Sequence, residues 1–454
     1  MHHLLLLLAL FPLLCQASFA SGGRRLFRFS RRLSTVFVVG AGPVGMTVAA
    51  RYLDLLIEKG RPPERQFQFV FIEKRSSYTR LQQAYFENSY GNNGCIRSSP
   101  FLLTPAKCHI FSSDGDNMSF PKDNVFAFVM QDFEEILRDY LVELSLRWSR
   151  LQGVSEITFF ATDDHSNTRE ADRLTRFRNT AVNTPVLFVH GEYMDLADSK
   201  VVIKTPSKRR IRLSTRPGDL ILGTDGFHSV VRRDTLDAEY REIPGLARNW
   251  GAALSYNVLG LSDSLKSSGT AAKELSSGFP VVHRLRVFRQ QTDQLYLGVS
   301  ISNSEYNLLS TGKDAPGFWQ ELHQLLSLYG INVPGIPVFR VPTSSLAYNL
   351  SRPIQPIPRS VFPIAPSYSN IVVAQSDEGS GISVYLAGDS ALSPNFVTYS
   401  GLNTGLRSAE FISQRLLQQS INSWQDMQEY SRLQMDLTRV VFFLSANFVD
   451  PNAS

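Results

Sequence analysis

The segment Val38-Val39-Gly40-Ala41-Gly42-Pro43-Val44-Gly45 sets the tightest limit on what this chain can fold into. Its glycines follow the pattern G-x-G-x-x-G. They lie between a short β-branched and aromatic run, Val36–Val39, and an apolar stretch of helical character, Met46–Leu56. A further run, Gln68–Ile72, reads as a second strand, so residues 36–73 predict one strand–helix–strand unit. In such a unit the first glycine permits a tight turn, the second lets backbone approach a pyrophosphate, and the third lets helix and strand pack closely. The free N–H groups and positive dipole end of the helix, opened here by Pro43 and Val44, then face the phosphates. An acid is also needed at the end of the second strand to hold ribose hydroxyls, and Glu73, followed by Lys74, is that acid. Glu73 lies 28 residues past Gly45, and the loop 58–66 with Gly60, Pro62 and Pro63 predicts a surface insertion that accounts for the long separation. Dinucleotide binding is the expectation.

The net charge of +5 raises the question of a nucleic-acid partner, and its location answers it. Residues 1–35 hold five arginines (Arg24, Arg25, Arg28, Arg31 and Arg32) and no acid. Removing those five from 46 basic residues leaves 41 against 41 acidic, so the remainder is neutral and nothing in it points to nucleic acid. The run Leu4–Cys15 is apolar but too short to span a bilayer, and no transmembrane span is expected. With Ser18-Phe19-Ala20 behind it, the run predicts a signal peptide, hence secretion or a secretory-pathway lumen or periplasm. The Arg- and Ser-rich stretch 24–32 keeps a mitochondrial or other organellar address open. Residues 1–35 are therefore read as a targeting leader. No cysteine and histidine cluster has metal-ligand spacing, and no metal is expected.

Two later stretches narrow the reading. The first is Gly218-Asp219-Leu220-Ile221-Leu222-Gly223-Thr224-Asp225-Gly226-Phe227-His228-Ser229-Val230-Val231-Arg232, a buried-type strand running into Asp-Gly. The second is Val384-Tyr385-Leu386-Ala387-Gly388-Asp389-Ser390-Ala391, followed by Pro394, Gly401, Leu402 and Asn403. Asp225 and Asp389 each end an apolar strand, where open α/β sheets bind ligands, although an aspartate there can equally cap the next helix. Together with the glycine motif, these segments resemble class A flavin-dependent monooxygenases, the para-hydroxybenzoate hydroxylase-like flavoproteins, over about 36–235 and 380–415. The resemblance implies an FAD site holding Gly40, Gly42, Pro43, Val44, Gly45, Glu73, Lys74, Asp225, Gly226, Gly388, Asp389, Gly401, Leu402 and Asn403. Asp389 would hold the flavin ribityl chain. Gln131, beside the helix start Asp132-Phe133-Glu134, matches a position that often contacts the flavin linker, and it can instead be a solvated helix-start glutamine.

The implied fold class is α/β: a Rossmann-like FAD-binding domain of the para-hydroxybenzoate hydroxylase type, interleaved with a smaller β-rich substrate domain. The FAD-binding domain is expected to be discontinuous, over 36–100, 124–240 and 360–415, with 101–123 and 241–359 as the substrate domain and 416–454 as a C-terminal helical extension. Residues 125–146 are expected to be one helix, and another is expected near 318–329. The implied activity is monooxygenation of a small organic substrate, of hydroxylase or epoxidase type, with O2 and with NAD(P)H as a transient reductant. Alternatives are a flavin oxidoreductase that inserts no oxygen and an FAD-binding protein without catalysis. A halogenase of the tryptophan type is disfavoured, because the W-x-W-x-I-P signature is missing. The chain departs from the family where Ser390-Ala391-Leu392 replaces the usual Ala-Ala-His. It departs again where Thr398-Tyr399-Ser400 replaces a glycine-bearing loop, a change that bears on hydroxylation more than on FAD binding. No catalytic side chain is assigned: His228, His283 and the arginines Arg284, Arg286 and Arg289 all have ordinary structural readings.

Overall fold

The alternation of Val36-Phe37-Val38-Val39 is used on both faces of a sheet. Val36 and Val38 join one apolar cluster, and Phe37 and Val39 join another. A computed structural model of the chain describes residues 32–60, 65–77, 83–87, 109–111, 125–151, 160–161, 185–244, 249–258, 285–289, 294–301, 303–311, 354–376, 381–394 and 400–446. Residues 1–31 of the leader, the segment 318–329, His283, Arg284 and the loop 395–399 lie outside the described residues.

The first strand, β1, is Arg32–Val39, so it begins before the expected Val36. Helix α1 runs Pro43–Lys59, and strand β2 runs Arg65–Glu73. The long separation between Gly45 and Glu73 is thus absorbed mainly by a full-length helix and strand, with Gly60 in the left-handed conformation closing the helix (φ 60°). Strands β3 (Gln83–Glu87), β4 (His109–Phe111) and β5 (Val125–Val129) form a three-stranded antiparallel sheet. The expected single helix over 125–146 is therefore corrected. Val125–Val129 is a run of valine, phenylalanine and alanine that pairs as strand β5, and helix α2 covers Met130–Leu151.

The main sheet adds β6 (Phe160–Ala161), β7 (Val186–His190), β11 (Leu220–Gly223), β18 (Val373–Gln375) and β19 (Ser383–Leu386). Its order is β18-β19-β11-β1-β2-β7-β6, parallel except for the β18 edge. The chain therefore brings β19 to a place two strands from β1, although 345 residues separate Val39 from Val384. Between β7 and β11, strands β8 (Glu192–Ala197), β9 (Lys200–Lys204) and β10 (Arg210–Ser214) form an antiparallel sheet. Their buried residues Tyr193, Val201, Ile203 and Leu213 pack on the face that carries Phe37, Val70 and Ile221.

The opposite face is covered by α1, α2, α4 (Ser400–Gln418) and α5 (Trp424–Ala446). Helix α5 is tied into this layer: the Tyr430 hydroxyl donates to the Leu386 carbonyl at 2.6 Å, and the Tyr385 hydroxyl donates to Ile421. The result is a helix layer, a parallel sheet and an antiparallel sheet, in that order. Strands β13 (Asn249–Val258), β14 (Leu285–Arg289), β15 (Gln294–Ile301) and β16 (Ile354–Ile364) make a separate four-stranded antiparallel sheet, with α3 (Asn303–Ser310) after β15. A small sheet joins β12 (Tyr240–Glu242), β17 (Ser367–Ser369) and β20 (Leu392–Ser393). No helix among the described residues is long and apolar enough to cross a membrane.

Candidate functional site

The carboxyl ends of β2, β1, β11 and β19 finish in register, and every predicted acid of the site sits at that edge. The Gly40 N–H donates to the Ile72 carbonyl (2.9 Å), Thr224 N–H to Val39 (2.8 Å) and Ala387 N–H to Gly223 (2.9 Å). Glu73, Asp225 and Asp389 follow directly from these strand ends, with Gly40 and Gly42 between the first two in space. Ligands of open α/β sheets bind at this edge, where loops leave the strands in opposite directions.

Gly40 turns the chain at φ +90° while held against the Asp225 segment: a methyl group there would lie 2.7 Å from the Thr224 carbonyl oxygen. The Thr224 hydroxyl shares its proton between the Gly40 carbonyl (2.7 Å) and the Val39 carbonyl (3.0 Å), and so clamps the turn. Helix α1 begins at Gly42 with Pro43 in its first turn, no side-chain cap and no acid there. Its first N–H groups are left for a ligand to satisfy. Helix α4 likewise has no acid in its first turn, which holds Gly401, Leu402 and the buried Asn403. The two helix starts meet at Val44. Its side chain occupies the space beside Gly388, whose φ is +67°, and beside Gly405, where a methyl group would lie only 2.4 Å from it. Asp389 is exposed, between buried Gly388 and Ser390, and its Oδ1 would lie 3.2 Å from a methyl group placed at Gly401.

Glu73 is held by four donors. The Ala41 N–H and Arg75 Nη2 reach Oε2 at 2.9 and 3.0 Å, and Arg75 N–H and Nε reach Oε1 at 2.9 and 3.0 Å. Arg75 also reaches Glu134 of α2 at 3.4 Å. Burial opposes ionisation of Glu73, but the hydrogen bonds and charge of Arg75, with the Ala41 amide, outweigh it and hold the carboxyl below its ordinary pKa. Stability from this group is therefore fully present above the unfolded carboxyl pKa and lost as pH falls through the lower folded value. Glu73→Gln is expected to flatten the loss of thermal stability below about pH 5, followed as melting temperature against pH. An unchanged acid limb would show that the Arg75 contact contributes nothing to folding.

Asp225 uses one oxygen, Oδ2, to accept from Val230 N–H (2.7 Å) and Val231 N–H (3.4 Å) at the start of the single turn Val231–Thr235. Its Oδ1 is buried without a partner, and burial pushes its pKa up against the hydrogen bonds from Ser229 and Val230. The capping role expected as an alternative is thus present. Gln131 donates to Glu135 one turn on, at 3.1 Å, the arrangement of a helix-start glutamine. Lys74 is exposed, with His190 Nε2 3.3 Å from its carbonyl. His228 is exposed and packs edge-on against Phe227.

No protein-family model matches the chain, and no curated protein matches it in sequence. Solved structures match it in fold. The p-nitrophenol 4-monooxygenase PnpA from Pseudomonas putida DLL-E4 aligns with a TM-score of 0.54 at 14% identity, over 93% of this chain and 88% of that one. The flavin-dependent brominase Bmp2 gives 0.53 at 11% identity, over 92% and 94%. The oxygenase of 2-methyl-3-hydroxypyridine-5-carboxylic acid gives 0.51 at 14%, over 92% and 91%. This chain has the fold of flavin-dependent oxygenases and halogenases. Identities this low carry the architecture, and chemistry has to be argued from the residues.

Within that flavoprotein fold, several residues of the site had no place in the sequence reading. Arg75 had a legible signal, since two residues along an extended chain return to the same side. Thr224 and Ser390 had none. Ser390 donates to the carbonyls of Gly223 (2.6 Å) and Ala387 (2.8 Å), joining β11 to β19. Leu392 packs with Ile243 and with Leu437 and Val441 of α5, so this position serves the core.

Proposed function

We propose that the chain is an FAD-dependent monooxygenase that uses NAD(P)H and O2 to oxidise a small organic substrate. The observation that supports this most is the pairing of two half-sites on one sheet edge. The glycine turn, α1 and Glu73 form one half; Asp389 and the start of α4, two strands away, form the other. A nicotinamide enzyme of the Rossmann type needs only the first half, whereas a dinucleotide carrying a second long polar arm needs both. The donor set suits FAD: N–H groups of α1 for the pyrophosphate, Glu73 for the adenosine ribose, and Asp389 for ribityl hydroxyls. When bound, FAD would carry electrons from NAD(P)H to O2 and deliver one oxygen atom to the substrate.

In this reading Thr224 and Val44 hold the two glycine-bearing turns close enough for backbone to reach the cofactor. Residues 36–100, 124–240 and 360–415 form the cofactor domain, 241–359 with 101–123 supply the substrate contacts, and the leader directs the chain into a secretory compartment. Purified protein should be yellow with stoichiometric FAD, and should oxidise NADH or NADPH with O2 uptake that rises with the right aromatic or other small organic substrate. Peroxide detection separates coupled oxygenation from idle oxidation. A colourless protein that FAD cannot reconstitute would overturn the reading. Bound FAD without NAD(P)H oxidation over a broad substrate panel would favour a non-catalytic flavoprotein.

A further inference from the structure

We propose that Tyr240 is a positioning residue of the flavin site, acting through Asp389. The inference rests on the flavin reading above and adds a residue outside all three sequence motifs. Tyr240 opens β12, which pairs with β17, and β17 pairs in turn with β20. The Ser369 N–H donates to the Ala391 carbonyl at 2.7 Å, and the amide of Glu239 donates to the Asn370 side chain at 2.8 Å. This small sheet therefore grips the chain immediately before Tyr240 and immediately after Asp389. From that position the Tyr240 hydroxyl donates to the backbone carbonyl of Asp389.

The ring itself is held from both faces. Phe227 stacks on it at 4.9 Å between centroids with the planes 20° apart, and the Arg232 guanidinium lies 3.5 Å from its centroid. Arg232 is buried and donates to the Phe227 carbonyl at 3.0 Å, while its own amide N–H donates to the Ser229 hydroxyl, which caps the turn, at 3.0 Å. Asp225 caps the same turn through Val230. One continuous set of contacts thus runs from Asp225 through Arg232 and the Tyr240 ring to Asp389, joining two segments 164 residues apart in sequence. Burial pushes the Tyr240 phenol above its ordinary pKa, with Arg232 opposing and Asp389 adding to the effect, so the hydroxyl remains a donor at neutral pH. The Asp389 carbonyl lies in the short turn Gly388–Ser390, and the Tyr240 hydroxyl reaches it from outside that turn.

The test is a double-mutant cycle on FAD affinity, measured by titrating apoprotein. Tyr240→Phe keeps the stacked ring and removes only the hydroxyl. It should weaken FAD binding about three- to tenfold, shift the visible absorption of the bound flavin, and leave apoprotein melting nearly unchanged. In an Asp389→Ala background the same substitution should have no further effect on affinity, because the side chain it orients is gone. Unchanged affinity in the single variant would overturn the proposal. So would an equal loss in both backgrounds, which would make Tyr240 a support of the segment rather than of Asp389. Failure of the unsubstituted protein to bind FAD would be a different result, removing the flavin reading itself and this inference with it.

Discussion

Gly40→Ala is expected to abolish flavin binding and to destabilise the fold by about 2–4 kcal/mol. Two costs combine at this position. The backbone is at φ +90°, a conformation that a residue with a side chain adopts only under strain, and the added methyl would sit 2.7 Å from the Thr224 carbonyl oxygen and 2.9 Å from the Asp225 Cα. Both are backbone atoms, so no rotamer change relieves the contact. The β1–α1 turn would have to move away from the β11 end, carrying the start of α1 with it. Gly226→Ala is the comparison for stability: its φ is +83°, but no atom lies within 4 Å of the added methyl, so its unfolding should show only the conformational cost. Urea unfolding and FAD titration of both variants separate the two effects. Undiminished flavin content in Gly40→Ala would show that the turn does not approach the cofactor.

Asp389→Ala should weaken FAD binding by about 10- to 100-fold, the loss of a charge-assisted hydrogen bond of about 1.5–3 kcal/mol. The side chain is exposed at the sheet edge, and its removal opens no cavity in the core. The variant should therefore express and melt close to the unsubstituted protein. Asp389→Asn should be milder, since the amide oxygen keeps one acceptor. A cap would also tolerate Asn, so stability alone does not separate the roles. Flavin affinity compared at matched melting temperature does, and equal affinity in Asp389→Ala and the unsubstituted protein would remove Asp389 from the site.

Much of this edge was legible before any tertiary contact was known. Glycines between an apolar strand and a helix, an acid at the next strand end and two later strand-to-Asp segments each carry their meaning within about ten residues. Local backbone chemistry is what they encode. The run Val125–Val129 misled, because its apolar residues suit a buried helix as well as a strand, and only pairing with β3 and β4 decides between them. The sheet order likewise had no local signal. Nothing in Ser383–Leu386 states that it lies beside Leu220–Gly223, yet that neighbour relation brings Asp389 to the edge that carries Glu73.

The sequence by itself determined the glycine turn, the acids at the neighbouring strand ends and the α/β class, because those depend on φ angles, strand periodicity and helix starts written over short spans. Tertiary structure alone decided which groups remote in sequence hold the acids in place. The Ala41 amide reaches Glu73 across 32 residues, and Tyr240 reaches Asp389 from 149 residues away. Such partners are chosen by distance in space. A tyrosine in a short edge strand carries no mark of the carbonyl it will meet until the strands β12, β17 and β20 have paired.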